Sequence, residues 1–235
     1  MTKKDSKASL SIVVPAYNEE ELIAHTVEHL LATAPQWVDD LEVIVVNDGS
    51  SDSTGRIVDE LANKYKNVIG IQQKKNGGFG ITVRTGLMRA TKTYVMICPA
   101  DYRFTLEDFN VYLVLIRYAD IVIGYRRHRR LQLPFYGKMV SAIYHQLVNL
   151  VFNLNFFDVN WIHMYKRDQI ETYLGKSDGV FLLAENIIRA KRLGLRIVGV
   201  DVNYTERESG IPTGVQPRTI LKTIRELFIF FFNRR

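Results

Sequence analysis

Residues 94–104 read YVMICPADYRF. Tyr94, Val95, Met96, Ile97 and Cys98 run without polar alternation, the pattern of a strand covered on both faces in a parallel sheet. Pro99 has no amide hydrogen to give to a ladder, so the strand ends there. The first carboxylate beyond it is Asp101, just past the carboxyl end of a central strand. Open α/β sheets hold their ligands at that edge, where loops carry the chemistry and strands fix them. A carboxylate so placed suits a divalent cation or a phosphate-bound cation; read alone, it equally suits a turn or a helix cap.

Working outward, the same kind of run recurs upstream. LSIVVP (10–15) predicts a strand, followed by a turn at Ala16, Tyr17, Asn18 and Glu19, then a helix over 19–32 with Leu22, Ile23, Val27, Leu30 and Leu31 on one face. LEVIVV (41–46) predicts a second strand. NDGSSD (47–52) forms the turn after it, with Ser51, Asp52 or Ser53 capping a helix to about residue 65. A third strand, 68–72, leads through Asn76, Gly77, Gly78, Phe79 and Gly80 into a helix over 81–90. This alternation predicts an α/β fold with a mostly parallel sheet and right-handed crossovers. The polar turns 17–19, 47–52 and 101–103 then gather on one edge beside the Gly-rich helix start. Such a rim suits a nucleotide, with base and ribose on carboxylates and the diphosphate on backbone amides and a cation. The first strand leads into PAYNE rather than GxGxxG, which argues against a dinucleotide.

At 235 residues, 47% apolar and 24% charged, the chain suits one globular domain with appendages. Cys98 is the single cysteine, so no internal disulfide forms, which fits a reducing compartment. Residues 1–8 read as a disordered basic tail. The apolar stretch that follows is broken by Pro15, so no signal peptide is expected, and no apolar run approaches the ~20 residues that span a bilayer. The net charge of +6 is uneven. Arg126, Arg127, Arg129 and Arg130 cluster with His128, and Arg218, Lys222, Arg225, Arg234 and Arg235 cluster at the end. Basic clusters imply an anionic partner. Without zinc spacing, RNA-binding aromatics or a helix-turn-helix pattern, a phosphorylated substrate or lipid is expected rather than nucleic acid.

In the second half, 119–124 predicts a strand. Over 135–157, Met139, Ile143, Leu147, Leu150, Val151 and Leu154 fall at helical spacing on a face that suits the core or a membrane equally. A helix over 180–193 carries Glu185 on an otherwise apolar stretch, where an acid needs a partner. A final strand, 196–204, precedes a loop with Gly210, Pro212 and Gly214 beside Arg207, suited to closing over substrate. Pro217 opens the last helix. Its LFIFFF (227–232), flanked by basic residues, predicts an interfacial anchor on anionic lipid. The competing occupant of that face is another subunit, either a membrane protein or a second copy.

Six segments in order, SIVVPAYNEE (11–20), VIVVNDGSSDST (43–54), KNGGFGITVRTGL (75–87), PADYRF (99–104), DIVIGYRR (120–127) and RESGIPTG (207–214), resemble the family 2 glycosyltransferases of the GT-A fold. The nearest branch contains the dolichyl-phosphate mannose and glucose synthases and related polyprenyl-phosphate sugar transferases. The resemblance implies that Pro15, Tyr17 and Glu19 line the nucleotide and that Asp48 hydrogen-bonds its base. It places Asn76, Gly77, Gly78 and Arg103 around the donor, Arg126 with Arg130 or Arg207 on the acceptor phosphate, and Asp158 and Glu185 as active-site carboxylates. Asp101 matches the second aspartate of the D-x-D motif, which holds Mg2+ or Mn2+. Pro99 stands where the first aspartate belongs, and Arg103 where the branch often has glutamine.

These readings predict a transferase domain over 9–205 and an acceptor loop with an amphipathic helix over 206–235. The expected reaction moves a sugar, with inversion, from a nucleotide-diphosphate sugar (UDP- or GDP-linked) to a polyprenyl phosphate. The expected place is the cytoplasmic face of a membrane, with the protein bound peripherally. The alternatives are transfer to a glycan or protein hydroxyl, which needs Glu185 or Asp158 as base, and a degenerate chain that binds nucleotide sugar without turnover.

Overall fold

The computed structural model describes residues 8–101, 105–125, 135–202 and 217–232. Its strands are β1 (Ser9–Ala16), β2 (Asp40–Asn47), β3 (Val68–Gln72), β4 (Tyr94–Ile97), β5 (Ile121–Tyr125), β6 (His163–Lys166) and β7 (Ile197–Asp201). Its helices are α1 (Ile23–Thr33), α2 (Thr54–Lys64), α3 (Phe79–Arg89), α4 (Leu106–Leu115), α5 (Phe135–Phe152), the single turn α6 (Ile170–Tyr173), α7 (Phe181–Arg192) and α8 (Pro217–Phe232). The strands form one sheet in the order β3-β2-β1-β4-β6-β5-β7. All neighbours run parallel except β6, which is antiparallel to both β4 and β5.

Side chains alternate across the sheet and feed two cores. Leu10, Ile12, Val14, Val43, Val45, Met96, Val122 and Met164 pack with Ile23, Val27, Leu30, Val58, Phe109 and Tyr112 of α1, α2 and α4. On the other face, Val13, Ile44, Val46, Val95, Ile97, Ile121 and Tyr165 pack with Val83, Leu87, Val148, Phe152, Phe181, Ile187 and Leu227 of α3, α5, α7 and α8. With each buried Val, Leu, Ile or Phe contributing about 1.5–3 kcal/mol, these two layers hold the strand ends in fixed register. Gly86 lets α3 approach β1 closely, since a Cβ there would lie 2.2 Å from Val13.

Three departures from the sequence expectation have local causes. Helix α1 begins at Ile23, not 19, because the amides of Glu19 and Glu20 donate to Thr54 Oγ1 at 2.8 Å and Asp52 Oδ2 at 3.2 Å instead of entering a helix. Helix α5 stops at Phe152, not 157: Asn153 takes φ 51°, and the Asn149 amide ties down Phe156. Strand β6 was not expected at all, since four residues carrying His163 and Lys166 lack a strand's apolar signature. Helix α4 is capped by Thr105, whose hydroxyl accepts from the Asp108 amide while the Asp108 carboxylate accepts from the Thr105 amide. That cap is not Asp101.

Candidate active site at the carboxyl edge of the sheet

Because β1, β2 and β4 are parallel neighbours, the residues after Ala16, Asn47 and Ile97 leave the sheet at the same edge. Tyr17, Asp48 and Asp101 are therefore brought to one rim. Tyr17 is exposed, Asp101 half-buried and Asp48 buried. The first two turns are stitched together: the Asn18 amide donates to Ser50 Oγ at 2.9 Å and Asn18 Oδ1 accepts from the Ser51 amide at 2.9 Å. Asn18 itself takes φ 54°, a left-handed conformation that Asn tolerates better than most residues. The third turn is tied to α1, where Thr26 Oγ1 donates to the Ala100 carbonyl. Pro15 and Glu19 flank the first turn, and Asn76 lies exposed beside the Gly-rich turn.

The Gly-rich turn is built differently from the expectation. Asp48 Oδ1 accepts from the Gly77 amide at 2.7 Å and Oδ2 from the Gly78 amide at 3.0 Å. The Gly80 amide donates to the Asp178 carbonyl at 2.9 Å. These three amides are engaged within the protein in this structure. Asp48 is the tether of that turn. A nucleotide base contacting Asp48 would share an oxygen that already accepts an amide. Gly78, at φ 100°, needs glycine both for its backbone and because a Cβ would lie 2.6 Å from the Asp178 carbonyl oxygen.

Glu185 is also placed otherwise than as a substrate-facing acid. Its Oε2 accepts from the amides of Lys176 and Ser177 at 3.0 and 2.9 Å and from Ser177 Oγ at 2.6 Å. Its Oε1 accepts from Arg189 Nε at 2.8 Å. Burial pushes the carboxyl up, but the Ser177, Lys176 and Arg189 hydrogen bonds outweigh it and hold the pKa below the ordinary range. Both oxygens are committed, which makes Glu185 a poor base and a good clamp for the 175–179 loop behind the Gly-rich turn.

β6 runs opposite to its neighbours, so the segment preceding it enters from this same edge, where the Gly124 amide donates to the Ile162 carbonyl at 2.9 Å. Asp158 is brought there. It is buried beside His145 Nε2 at 3.6 Å and accepts from the Asn160 amide at 3.0 Å. Burial first, and then the Asp158 charge, push the Tyr125 hydroxyl up to about 12. Sequence reading gave no role to this Asp158–His145–Tyr125 cluster as a unit, since its members come from three separate elements. Arg103, Arg126, Arg130 and Arg207 lie outside the described residues. Among the described residues, no group of three or more His, Cys, Asp or Glu side chains is arranged to hold a metal.

Residues 11–174 match the family model for Glycosyl transferase family 2. The chain belongs to that family. Among curated members, it is 27% identical over 206 residues to the undecaprenyl-phosphate 4-deoxy-4-formamido-L-arabinose transferase of Proteus mirabilis (strain HI4320), covering 86% of this chain and 61% of that one. It is 30% identical over 209 residues to the undecaprenyl-phosphate mannosyltransferase of Micrococcus luteus, covering 84% of each. The chain thus spans about three fifths of the length of the first of these relatives. Among solved structures, glucosyl-3-phosphoglycerate synthase from Mycobacterium tuberculosis, in complex with Mn2+, UDP-glucose and phosphoglyceric acid, superposes with a TM-score of 0.73 at 18% identity over 96% of this chain and 80% of that one. That likeness establishes the shared GT-A fold of this family 2 chain.

Proposed function

We propose that this family 2 chain transfers a sugar from a nucleotide-diphosphate sugar to a polyprenyl phosphate at the cytoplasmic face of a membrane. The observation that carries the reading is the seating of α8. Its inner side packs Leu227 and Phe230 into the core, with Phe230 5.7 Å from both Phe152 and Phe181. Its outer side exposes Leu221, Phe228, Ile229 and Phe232 among Arg218, Lys222 and Arg225. A helix with an unpartnered apolar side between cations suits the headgroup layer of an anionic membrane. The same helix reaches the Gly-rich rim, since Lys222 Nζ lies 3.0 Å from a Cβ built on Gly78. A lipid-borne acceptor would thus lie beside the donor turns. No described helix is long and apolar enough to cross a membrane. The acceptor class is supported by the two curated relatives, which are both undecaprenyl-phosphate sugar transferases.

Polyprenyl phosphate is already an anion. Its oxygen attacks the anomeric carbon from the face opposite the nucleoside diphosphate, the new C–O bond forms as the bond to the leaving diphosphate breaks, and configuration inverts. No proton has to be removed from the nucleophile, which agrees with Glu185 being locked in hydrogen bonds. The protein supplies positioning and charge stabilisation. A single carboxylate with donor phosphates completing the shell is a donor set that fits Mg2+ or Mn2+; Asp101 would hold that cation, which would offset charge on the diphosphate. The Asp101 rim would orient the donor, and Arg126, Arg130 and Arg207 would meet the acceptor phosphate.

The test is transfer of radiolabelled sugar from UDP- and GDP-sugars into lipid extract, wild type against Asp101→Ala. The reading expects label in a lipid phosphate sugar and a loss of at least tenfold in the variant. A product labelled on a glycan or protein hydroxyl, or equal rates for the two proteins, overturns it.

A further inference from the structure

We propose that Lys222, delivered by the membrane-facing helix α8, is a phosphate-binding residue for the donor diphosphate at the Gly-rich turn. The proposal rests on the nucleotide-sugar reading above and adds a residue to it from outside the segments that match the family.

The geometry places a cation beside the Gly-rich turn. The amides of Gly77, Gly78 and Gly80 are engaged by Asp48 and Asp178, so these three are not available to an anion. Lys222 Nζ stands beside the Gly78 backbone, within 3.0 Å of where a Cβ would sit. Lys222 is exposed. The carboxylates around it are Glu226, one helical turn on, and Asp178. Glu226 turns instead to the Gly179 backbone, with Oε2 2.7 Å from a Cβ built there. Asp178 Oδ1 pairs with Arg84 Nη2 at 3.4 Å. Burial pushes the Glu226 carboxyl up, and the Lys222 charge and the Gly179 and Asp178 amides pull it down. An exposed ammonium held at a glycine, with no side chain to shield it, can donate charge-assisted hydrogen bonds to phosphate oxygens.

The elements around it fix the position. Glu185 clamps the 175–177 loop from below, the Asp178 carbonyl takes the Gly80 amide, and α8 packs Glu226 against Gly179. The lysine therefore reaches the turn only while α8 is seated. The surface that would lie on lipid and the cation that would face the donor belong to one rigid helix.

The experiment titrates UDP, GDP and the corresponding nucleosides into wild type, Lys222→Gln and Lys222→Arg by calorimetry, with and without Mg2+, and measures cosedimentation with phosphatidylglycerol vesicles in parallel. Wild-type binding of UDP or GDP tests the nucleotide-sugar reading by itself; no binding of either removes that reading and this proposal with it. Given binding, Lys222→Gln is expected to weaken the diphosphate about tenfold with the nucleoside unchanged, Lys222→Arg to recover most of the loss, and the unfolding midpoint to stay in place. Equal diphosphate affinity in wild type and Lys222→Gln overturns the proposal while leaving the transferase reading intact. Loss of vesicle binding with diphosphate affinity kept also overturns it, and assigns the lysine to lipid phosphate.

Discussion

Asp48 grips the amides of Gly77 and Gly78 with one carboxylate oxygen each, at 2.7 and 3.0 Å. The turn after β2 and the entrance to α3 are thereby one unit, and Gly49, whose missing side chain would meet the Lys75 and Asn76 backbone at 2.5–2.7 Å, lets the two lie in contact. Asp48→Asn keeps one oxygen but turns an NH2 group toward an N–H. A donor facing a donor leaves a half-buried amide unsatisfied, at a cost of about 1 kcal/mol. The variant should unfold at lower denaturant and bind nucleoside diphosphate more weakly. Unchanged denaturant midpoint and unchanged affinity together would show that the tether is dispensable.

Glu185→Gln separates a clamp from a base. Loss of a general base lowers turnover and leaves stability alone; loss of the clamp weakens the bonds to Lys176, Ser177 and Arg189 and lowers the unfolding temperature. The second outcome is expected, on the order of 1–3 kcal/mol. Its pH dependence has a defined sign. The folded pKa is depressed below the ordinary 4.5, so the stabilisation is fully present above pH 4.5 and fades as pH falls below it. The gap in melting temperature between wild type and Glu185→Gln should be widest near pH 7 and narrow toward pH 3.5. A gap that stays constant over that range would mean the carboxylate charge contributes nothing.

Much of this rim is legible in the chain because its parts are local. An apolar run ending at Pro15 or Pro99 marks a strand end, and the polar residues after it, Tyr17 or Asp101, follow the strand to the edge. Parallel order then needs only the alternation of strands and helices. Less legible is whatever depends on pairing across distance. β6 is four residues long, and its strand character comes from β4 and β5 on either side, which bury Met164 on one face and Tyr165 on the other. The partner of Glu185 follows a similar rule: an acid on an apolar helix needs bonds, but that they come from the 176–177 amides is a tertiary fact. Helix α4 is different, since Thr105 and Asp108 stand three apart in TLED and carry a capping-box signal in the sequence itself.

The two sides of α8 should respond in opposite ways to substitution. Leu227 is 1% exposed, and Leu227→Ala should cost about 2–4 kcal/mol through the cavity it leaves, with vesicle binding lost only in proportion to unfolding. Phe228 and Phe232 are 48% and 76% exposed. Phe228→Glu with Phe232→Glu should leave the melting temperature within a degree or two and reduce cosedimentation with anionic vesicles severalfold, by removing apolar contact and adding repulsion. If the double variant still pellets with vesicles like wild type, the outer side of α8 does not touch lipid, and a protein partner becomes its occupant.

His163 gives the protein an acid-sensitive core. It is fully buried, Nδ1 lies 2.7 Å from the Tyr165 hydroxyl, and Nε2 has no hydrogen-bond partner among the described residues. Burial lowers its pKa from 6.5 to about 4, with the Asp158 charge only partly opposing. The unfolded chain therefore takes up a proton near pH 6.5 that the folded chain refuses until about pH 4, so stability due to this residue is intact above pH 6.5 and drains away between the two values. Each unit of difference is worth about 1.4 kcal/mol, giving a loss on the order of 3 kcal/mol, a large share of the 5–15 kcal/mol that holds a typical domain folded. His163→Phe removes the titrating ring and its hydrogen bond with the Tyr165 hydroxyl, so it should be less stable than wild type at pH 7.5. Its unfolding free energy should nevertheless fall less steeply from pH 6.5 to 4, and the two curves should converge as pH drops. Parallel curves over that interval would show that His163 is protonated inside the folded protein and has a partner on Nε2.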